Sequence, residues 1–246
     1  PLGHGTERLE DTIAARFPEY ELARIDSDST RLKGTMTRAL ARATEGRTKI
    51  LIGTQMLSKG HHFPNLSMVA VVNADQGLFS TDFRGGERLA QSLVQVAGRA
   101  GRERRQGQVI VQTAFPKHPF WNELFSGGYE RFAEAALGER QKTAWPPFSK
   151  IALLRAAAHK RDDTHRFLHE ARRHAERAGL AGVRILGPVS APMERLAGRY
   201  RGQLLMQSVN RRELHELLRP LRAILEGLPS ARKVRWSIDV DPIELF

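Results

Sequence analysis

The chain carries the string Gln95-Val-Ala-Gly-Arg-Ala-Gly-Arg102 at the end of a predicted helix, Arg84–Ala97. Helical spacing separates an apolar stripe from a polar side: Leu89, Leu93 and Val96 against Gln91, Gln95, Arg99 and Arg102. Gly98 and Gly101 remove side-chain bulk, so a ligand can approach the backbone closely. Two guanidiniums beside such a surface suit phosphoryl transfer, where they neutralise the γ-phosphate. The helix macrodipole also favours arginine at a helix C-terminus, which explains two arginines but not the whole string.

A second string, Gly53-Thr-Gln-Met-Leu-Ser-Lys-Gly-His-His-Phe-Pro64, follows directly on the apolar strand Ile50–Gly53. Ligand sites in open α/β sheets lie at the carboxyl ends of strands. Thr54 and Gln55 offer short polar contacts there, and Lys59 offers a point charge for a phosphodiester. An ordinary polar loop after a strand explains the same residues, and both interpretations stay open.

The first half of the chain alternates short apolar strands with helices. This order predicts an α/β domain with a parallel sheet over residues 1–116, followed by a helical linker over 117–147. Gly127-Gly128 divides the linker into two helices, and its aromatic residues are predicted to pack in a core: Trp121, Phe125 and Phe132. The Trp145-Pro-Pro-Phe148 string then marks a boundary, because proline removes a backbone donor.

Residues 148–246 follow the order β-α-β-β-α-β, which is typical of a small α+β split-βαβ domain. Its second strand is predicted to end at Gly187-Pro188. One helix, Arg211–Leu225, has a leucine on one side at each turn.

The charge of the chain is strongly positive and uneven. The formal net charge is +12 and the pI is about 10.8; residues 1–142 contribute +4 and residues 143–246 contribute +8. This balance favours a polyanionic partner, most simply nucleic acid. In the basic half, Arg199 and Arg201 flank Tyr200, a pattern that can hold phosphates and stack a base. A basic hairpin turn on a solvated face is the alternative.

Other features of composition narrow the class of protein. The chain has no cysteine, which excludes disulfides and thiolate zinc sites within it and fits a cytoplasmic protein. No apolar stretch is long enough to span a membrane, so no membrane partner is expected. No Gly-x-x-x-x-Gly-Lys-Ser/Thr loop and no Asp-Glu box for magnesium occur in these residues.

Taken in order, the two strings resemble the second, RecA-like motor lobe of superfamily 2 helicases: Gln95–Arg102 looks like motif VI and Gly53–Pro64 like motif V. Further strings extend the resemblance over nearly the whole chain: Asn73–Phe79, Asp82–Arg88, Trp145–Phe148, Gly187–Val189, Gly198–Arg201 and Asp239–Glu244. This series resembles the C-terminal portion of the primosomal protein N′ (PriA) family of replication-restart DNA helicases.

The resemblance implies roles for particular residues. Gln95 and Gly98 would lie at the nucleotide, and Arg99 and Arg102 would be the arginine fingers. Three residues of motif V would contact the tracking DNA strand: Thr54, Gln55 and Lys59. The segment with Asp75 would link the two sites, and the C-terminal domain would bind forks through Arg199, Tyr200 and Arg201.

The same resemblance implies cofactors and partners. The intact protein would use ATP and Mg²⁺ and hold zinc in an upstream module. This chain alone would bind none of the three and would be inactive as an ATPase, but it would keep DNA affinity. The expected partners are branched and single-stranded DNA, single-stranded DNA-binding protein and primosome proteins. Two alternatives stay open: a non-catalytic branched-DNA scaffold with an inactive motor, and an RNA-binding protein, against which motif VI argues.

Overall fold

The computed structural model describes residues 4–25, 34–53, 63, 65–98 and 107–245. The chain divides into two compact units, which are described separately. The first contains Pro1–Ser80 and Gly85–Phe132, and the second contains Thr81–Arg84 and Ala133–Phe246. This division does not test the domain limits predicted at residues 116 and 148, which remain predictions.

The first unit alternates strands and helices: α1 (His4–Arg16), β1 (Leu22–Ile25), α2 (Thr35–Thr44), β2 (Ile50–Gly53), β3 (Met68–Val71), α3 (Asp75–Leu78), α4 (Gly85–Ala97) and β4 (Gln108–Val111). The strands form two parallel pairs, β1 with β2 and β3 with β4. Helices connect the parallel strands, as parallel pairing requires. The α/β class with parallel pairing is therefore confirmed.

Helix α4 packs as the spacing of its residues predicts. Ala90 and Leu93 are buried, whereas Gln91 and Gln95 on the other side are exposed. The Gln91 side chain donates a hydrogen bond to the Tyr129 hydroxyl at 3.0 Å. The helix thus has an exposed polar side, which includes Gln95, the first residue of the Gln95–Arg102 string.

Helix α5 (Pro119–Thr143) occupies most of the predicted linker. Gly128 interrupts it with φ 74° and ψ 179°, so it has two helical parts, as the two adjacent glycines predict. Trp121 and Phe132 are buried, but Phe125 is 59% exposed, so its prediction as a core residue is wrong. Leu124 takes the buried position, and the next residue of a helix points about 100° away.

The second unit is a four-stranded antiparallel sheet with helices on one face. Its elements are β5 (Lys150–Ala158), α6 (Arg161–Arg177), β6 (Val183–Leu196), β7 (Arg199–Ser208), α7 (Arg211–Gly227), a short 3-10 helix (Pro229–Lys233) and β8 (Arg235–Val240). The strand order is β6-β7-β5-β8, with every pair antiparallel. This arrangement confirms the split-βαβ fold.

The helical face of this sheet holds the main core. Alternate residues of β5 point toward α6 and α7, because successive side chains of a strand face opposite sides. The predicted leucine stripe of α7 is buried against them: Leu214, Leu217, Leu218, Leu221 and Leu225. The core is closed by Phe167 and Leu168 of α6 and by Leu204 and Met206 of β7.

One end of the opposite face of the sheet is covered by other parts of the second unit. Ile151 and Leu153 of β5 form a second apolar cluster there with Leu205, Phe83, Trp145 and Leu245. The segment Thr81–Arg84 and the segment Asp241–Leu245 meet over this cluster, and we call the two together the terminal clamp. The Arg84 guanidinium donates to the Ile243 carbonyl at 2.8 Å, and the Leu245 N–H donates to the Asp82 carboxylate at 3.2 Å.

Strand β6 is longer than predicted. Gly187-Pro188 does not end it, and the strand continues to Leu196. The register with β7 shifts between Leu186 and Val189 and again between Ser190 and Arg195, which marks irregular, bulged pairing. Gly187 has φ 99°, a conformation open to glycine, so the chain turns locally and then resumes the ladder.

Among the described residues, no helix has both the length and the apolar character needed to cross a membrane.

Candidate nucleic-acid interface

The predicted site residues fall into two groups. Five lie outside the described residues, and for them only the sequence prediction stands: Thr54, Gln55, Lys59, Arg99 and Arg102. Five lie within described segments and can be placed: Gln95, Gly98, Arg199, Tyr200 and Arg201.

The first of the placed residues lie at the C-terminal end of α4. Gln95 and Gly98 are both exposed. The Gly98 N–H donates to the Val94 carbonyl at 3.0 Å, which continues the helical hydrogen-bond pattern past Ala97. A Cβ added to Gly98 would meet only two carbonyl oxygens of its own helix, the nearer being that of Val94 at 3.4 Å. This end of the helix therefore offers an accessible polar side chain and bare backbone to a ligand.

Asp75 has hydrogen-bond partners within the first unit. Its carboxylate accepts hydrogen bonds from the Thr113 hydroxyl at 2.5 Å and from the Ala114 N–H at 2.9 Å. These bonds tie the start of α3 to the segment that follows β4. The geometry gives Asp75 a fixed position in the lobe and leaves its predicted linking role a prediction.

The hairpin between β6 and β7 carries the other placed residues. Ala197 and Gly198 at its turn have φ values of 48° and 76°, as in a type I′ turn, whose twist matches that of the strands. Successive residues of β7 then face opposite sides of the sheet. Arg199 and Arg201 consequently share one face, and Tyr200 lies on the other. The three side chains do not enclose a single base between them.

Tyr200 instead pairs with an arginine of the neighbouring strand. It lies opposite Arg195 in the β6–β7 register. The Arg195 guanidinium carbon is 5.3 Å from the centre of the Tyr200 ring, which is within the range of a cation–π contact. This pair stands on the same face as Ala158, the helical face of the sheet.

Arg201 lies on the face without helices, next to two further arginines that the sequence analysis missed. In the strand register Ala157 of β5 lies between Arg201 of β7 and Arg235 of β8. Two residues along β5, Arg155 lies between Gln203 and Ser237. Directly opposed residues of antiparallel strands share a face. These side chains therefore form two adjacent rows, which we call the arginine face.

A pocket of about 220 Å³ opens on the arginine face. It is lined by Arg155, Ala156, Ala157, Ala191, Arg201, Gly202, Gln203, Arg235, Trp236 and Ser237. Ala157, whose side chain is a single methyl group, leaves space between the arginines on either side of it. A Cβ on Gly202 would point to the helical side, where the Leu168 Cδ1 atom lies only 2.8 Å away.

The three arginines of this face differ in their partners. The Arg155 guanidinium contacts the Asp239 carboxylate at 2.6 Å and donates to the Glu244 carbonyl of the terminal clamp. In the part of the chain that the structure describes, no ion pair is found for Arg201 or for Arg235. Arg155 is thus neutralised by its carboxylate, whereas the other two present their charge to solvent.

The pattern of β5 could have revealed this face. Ile151, Leu153, Arg155 and Ala157 alternate along one side of the strand, so that side changes from apolar to basic halfway. The apolar letters on both sides of Arg155 masked the change. Arg235 carries no local signal, because only the pairing of β8 with β5 brings it to the same row.

Two protein families match separate parts of the chain. Residues 141–243 match the family described as Primosomal protein N C-terminal domain, and residues 4–104 match the Helicase conserved C-terminal domain. The first match covers the sheet with the arginine face, and the second includes most of the first unit with the Gln95–Arg102 string.

Similar proteins match over almost the full chain. The replication restart protein PriA of Haemophilus influenzae is 45% identical over 243 residues, which are 99% of this chain and 33% of that protein. The PriA proteins of Synechocystis and Bacillus subtilis are 36% and 34% identical, over 29% and 30% of their lengths. The chain thus spans about a third of the length of these relatives.

Proposed function

Since this chain belongs to the family of the replication restart protein PriA, we propose that it is the C-terminal part of an ATP-dependent 3′-to-5′ DNA helicase. The intact protein would bind branched and stalled replication forks and begin primosome assembly there. The observation that carries the proposal is the joint presence of a helicase lobe and a basic sheet face on one chain. A motor alone needs only the first of these.

The motor role rests on the end of α4. Gln95 and Gly98 are accessible. Arg99 and Arg102, which follow in the string, would reach the nucleotide held by the other lobe. When bound, ATP with Mg²⁺ supplies the phosphoanhydride bond that is cleaved. The two guanidiniums would stabilise the charge that builds up on the transferred phosphoryl group. The exposed Gln95 amide would orient a polar group of the nucleotide.

The DNA role rests on motif V and on the second unit. Thr54, Gln55 and Lys59 would hold phosphates of the tracking strand. Arg199, Tyr200 and Arg201 would add contacts to the fork, Tyr200 from the other face of the strand. Single-stranded DNA-binding protein and primosome proteins would be the protein partners, at a cytoplasmic location.

Metal ions would be held mostly outside this chain. Among the residues that the structure describes, no group of three or more His, Cys, Asp or Glu side chains is placed to hold a metal ion. Zinc would belong to an upstream cysteine module, because no cysteine occurs in this sequence. The Mg²⁺ that accompanies ATP would be held by the other motor lobe.

The second candidate function is a branched-DNA scaffold with an inactive motor. The higher positive charge of residues 143–246 favours it, because fork binding would then need only the second unit. In that case the same arginine face would bind forks, and the α4 string would have no catalytic task.

The test compares ATP hydrolysis with fork binding in the intact protein. Replacing Arg99 or Arg102 by alanine should lower DNA-stimulated ATP hydrolysis by about 10³-fold or more, the usual worth of an arginine finger. Fork affinity should stay within about twofold. Arg16→Ala, at an exposed position in α1, is the matched control and should leave both unchanged. Hydrolysis that survives both substitutions contradicts the assignment of Arg99 and Arg102 as arginine fingers, and a wild-type protein that binds forks without hydrolysing ATP supports the scaffold.

A further inference from the structure

We infer that the slot between Arg201 and Arg235 binds a backbone phosphate of single-stranded DNA. This inference rests on the proposed DNA role of the second unit and gives that role a defined position. The two side chains rise from strands on either side of β5, with only the methyl group of Ala157 between them. Neighbouring strands lie about 4.8 Å apart, so the two backbones are about 10 Å apart. Two long arginine side chains can converge over that gap on one anion.

The charge of the slot favours an anion. The third arginine of the face, Arg155, also lines the pocket, but Asp239 at 2.6 Å neutralises it. Arg201 is half-buried and Arg235 is exposed, and neither forms an ion pair with a described residue. A guanidinium fork matches the oxygens of a phosphate in two parallel hydrogen bonds. Gln203 and Ser237 add neutral donors in the next row of the same pocket.

The size of the pocket favours part of a polymer over a free nucleotide. Its volume of about 220 Å³ lies below the range of roughly 300–1,000 Å³ that is usual for small-molecule sites. A phosphate group fits such a space, and the rest of the strand would run along the open sheet. Because the floor lies beside the buried Gly202 and Gln203, the strand must bend inward to reach it. A flexible single strand can do so more readily than a rigid duplex.

Aromatic stacking does not explain the slot. Trp236 lines the pocket, but its ring packs on the helical face, 5.8 Å from the ring of Phe167. No aromatic side chain stands in the two rows of the arginine face: Arg201, Ala157 and Arg235, then Gln203, Arg155 and Ser237. The contact should therefore be with the DNA backbone and independent of sequence, unlike sheets that stack bases on exposed rings.

The test measures DNA affinity of the 246-residue chain at several salt concentrations by fluorescence anisotropy. The probes are a fluorescent oligothymidine of about 20 nucleotides and a duplex of equal length. Arg201→Gln with Arg235→Gln should weaken binding to the single strand at least tenfold at low salt. The slope of log K against log salt should fall in magnitude by about 0.7, the value for one phosphate of a single strand. Duplex affinity should change less than threefold.

Two further variants keep the result interpretable. Arg201→Lys with Arg235→Lys retains the charge and should restore the slope but only part of the affinity, since lysine lacks the fork. Arg222→Gln removes an exposed charge on α7, where Arg222 is paired with Glu226, and should have no effect on single-strand binding. Thermal unfolding confirms that each variant is folded.

The outcomes separate this inference from the proposed function. If the wild-type chain binds DNA and the glutamine pair leaves the slope unchanged, the slot is not a phosphate site. If the glutamine pair lowers duplex affinity as much as single-strand affinity, the single-strand assignment is overturned. If the wild-type chain binds neither probe, both this inference and the proposed DNA role of the second unit are contradicted.

Discussion

The terminal clamp should contribute strongly to the stability of the second unit, and Phe83→Ala tests this. The Phe83 ring stacks on Trp145, with centres 4.9 Å apart and planes 5° apart. The guanidinium carbons of Arg84 and Arg140 lie 4.9 Å and 4.8 Å from the centre of the same ring. The half-buried ring also closes the apolar cluster over β5.

The expected loss follows from these contacts. An aromatic pair is worth about 1 kcal/mol beyond its burial, and each cation–π contact about 0.5 kcal/mol. Half-burial of a phenylalanine side chain adds about 1 kcal/mol. Phe83→Ala should therefore lower the free energy of unfolding of the second unit by about 3 kcal/mol. Phe83→Leu keeps most of the apolar contact and should lower it by about 2 kcal/mol.

Urea unfolding measures this loss in the 246-residue chain. A Trp121→Phe background removes the tryptophan of the first unit, so fluorescence reports Trp145 and Trp236 of the second. With an m-value of about 2 kcal/mol per molar urea, the unfolding midpoint should fall by about 1.5 M.

The control variant is Ile243→Ala, which alters the clamp at a side chain that is 77% exposed. It should change the free energy of unfolding by less than about 0.5 kcal/mol. If Phe83→Ala also changes the free energy of unfolding by less than about 0.5 kcal/mol, the ring contacts do not stabilise the unit. The two segments of the clamp would then be in contact without adding stability.

Two further predictions concern other parts of the chain. Gly202→Ala should destabilise the second unit by about 1–3 kcal/mol, because the new Cβ would lie 2.8 Å from the Leu168 side chain, and urea unfolding would show it; an unchanged midpoint would contradict the packing. In the first unit, hydrogen bonds from Arg42 and then Thr48 lower the pKa of Glu21 from 4.5 to about 2. Its stabilising contribution should be complete above about pH 4.5 and lost as the pH falls toward 2, so Glu21→Gln should remove part of the acid sensitivity of thermal unfolding. Equal acid sensitivity in both proteins would contradict it.

Local periodicity predicted most of the fold. The leucine stripe of α7 follows from burial of one helix side, and the structure confirms it. Of the stripe predicted on α4, Leu93 is buried and Leu89 and Val96 are half-buried. Gly187-Pro188 misled the prediction of β6, because the same residues that end a strand also permit a bulge within one. Phe125 misled the prediction of the core, because residue type alone does not say which side of a helix faces inward.

The features that need tertiary pairing escaped the sequence. The clamp joins Arg84 to Ile243, which are 159 residues apart, and no spacing within either segment indicates the other. The arginine face depends on three strands in register. Of its three arginines, the sequence pattern indicates only Arg201. Alternation along one strand can show that a face becomes basic, but only the pairing shows which cations share it.

The clamp and the arginine face belong to one side of one sheet, and Arg155 lies where they meet. Below it on β5, Leu153 and Ile151 are covered by the clamp; above it, Ala157 is left open between two arginines. Arg155 donates to the Glu244 carbonyl of the clamp and contacts Asp239, so its charge is held away from the slot. Loosening the clamp should remove the Glu244 contact, but Asp239 lies on β8 outside the clamp and should keep Arg155 neutralised. Phe83→Ala should then bind the oligothymidine with the same slope as the wild-type chain, whereas a slope of larger magnitude would show that the clamp is needed to hold the charge of Arg155.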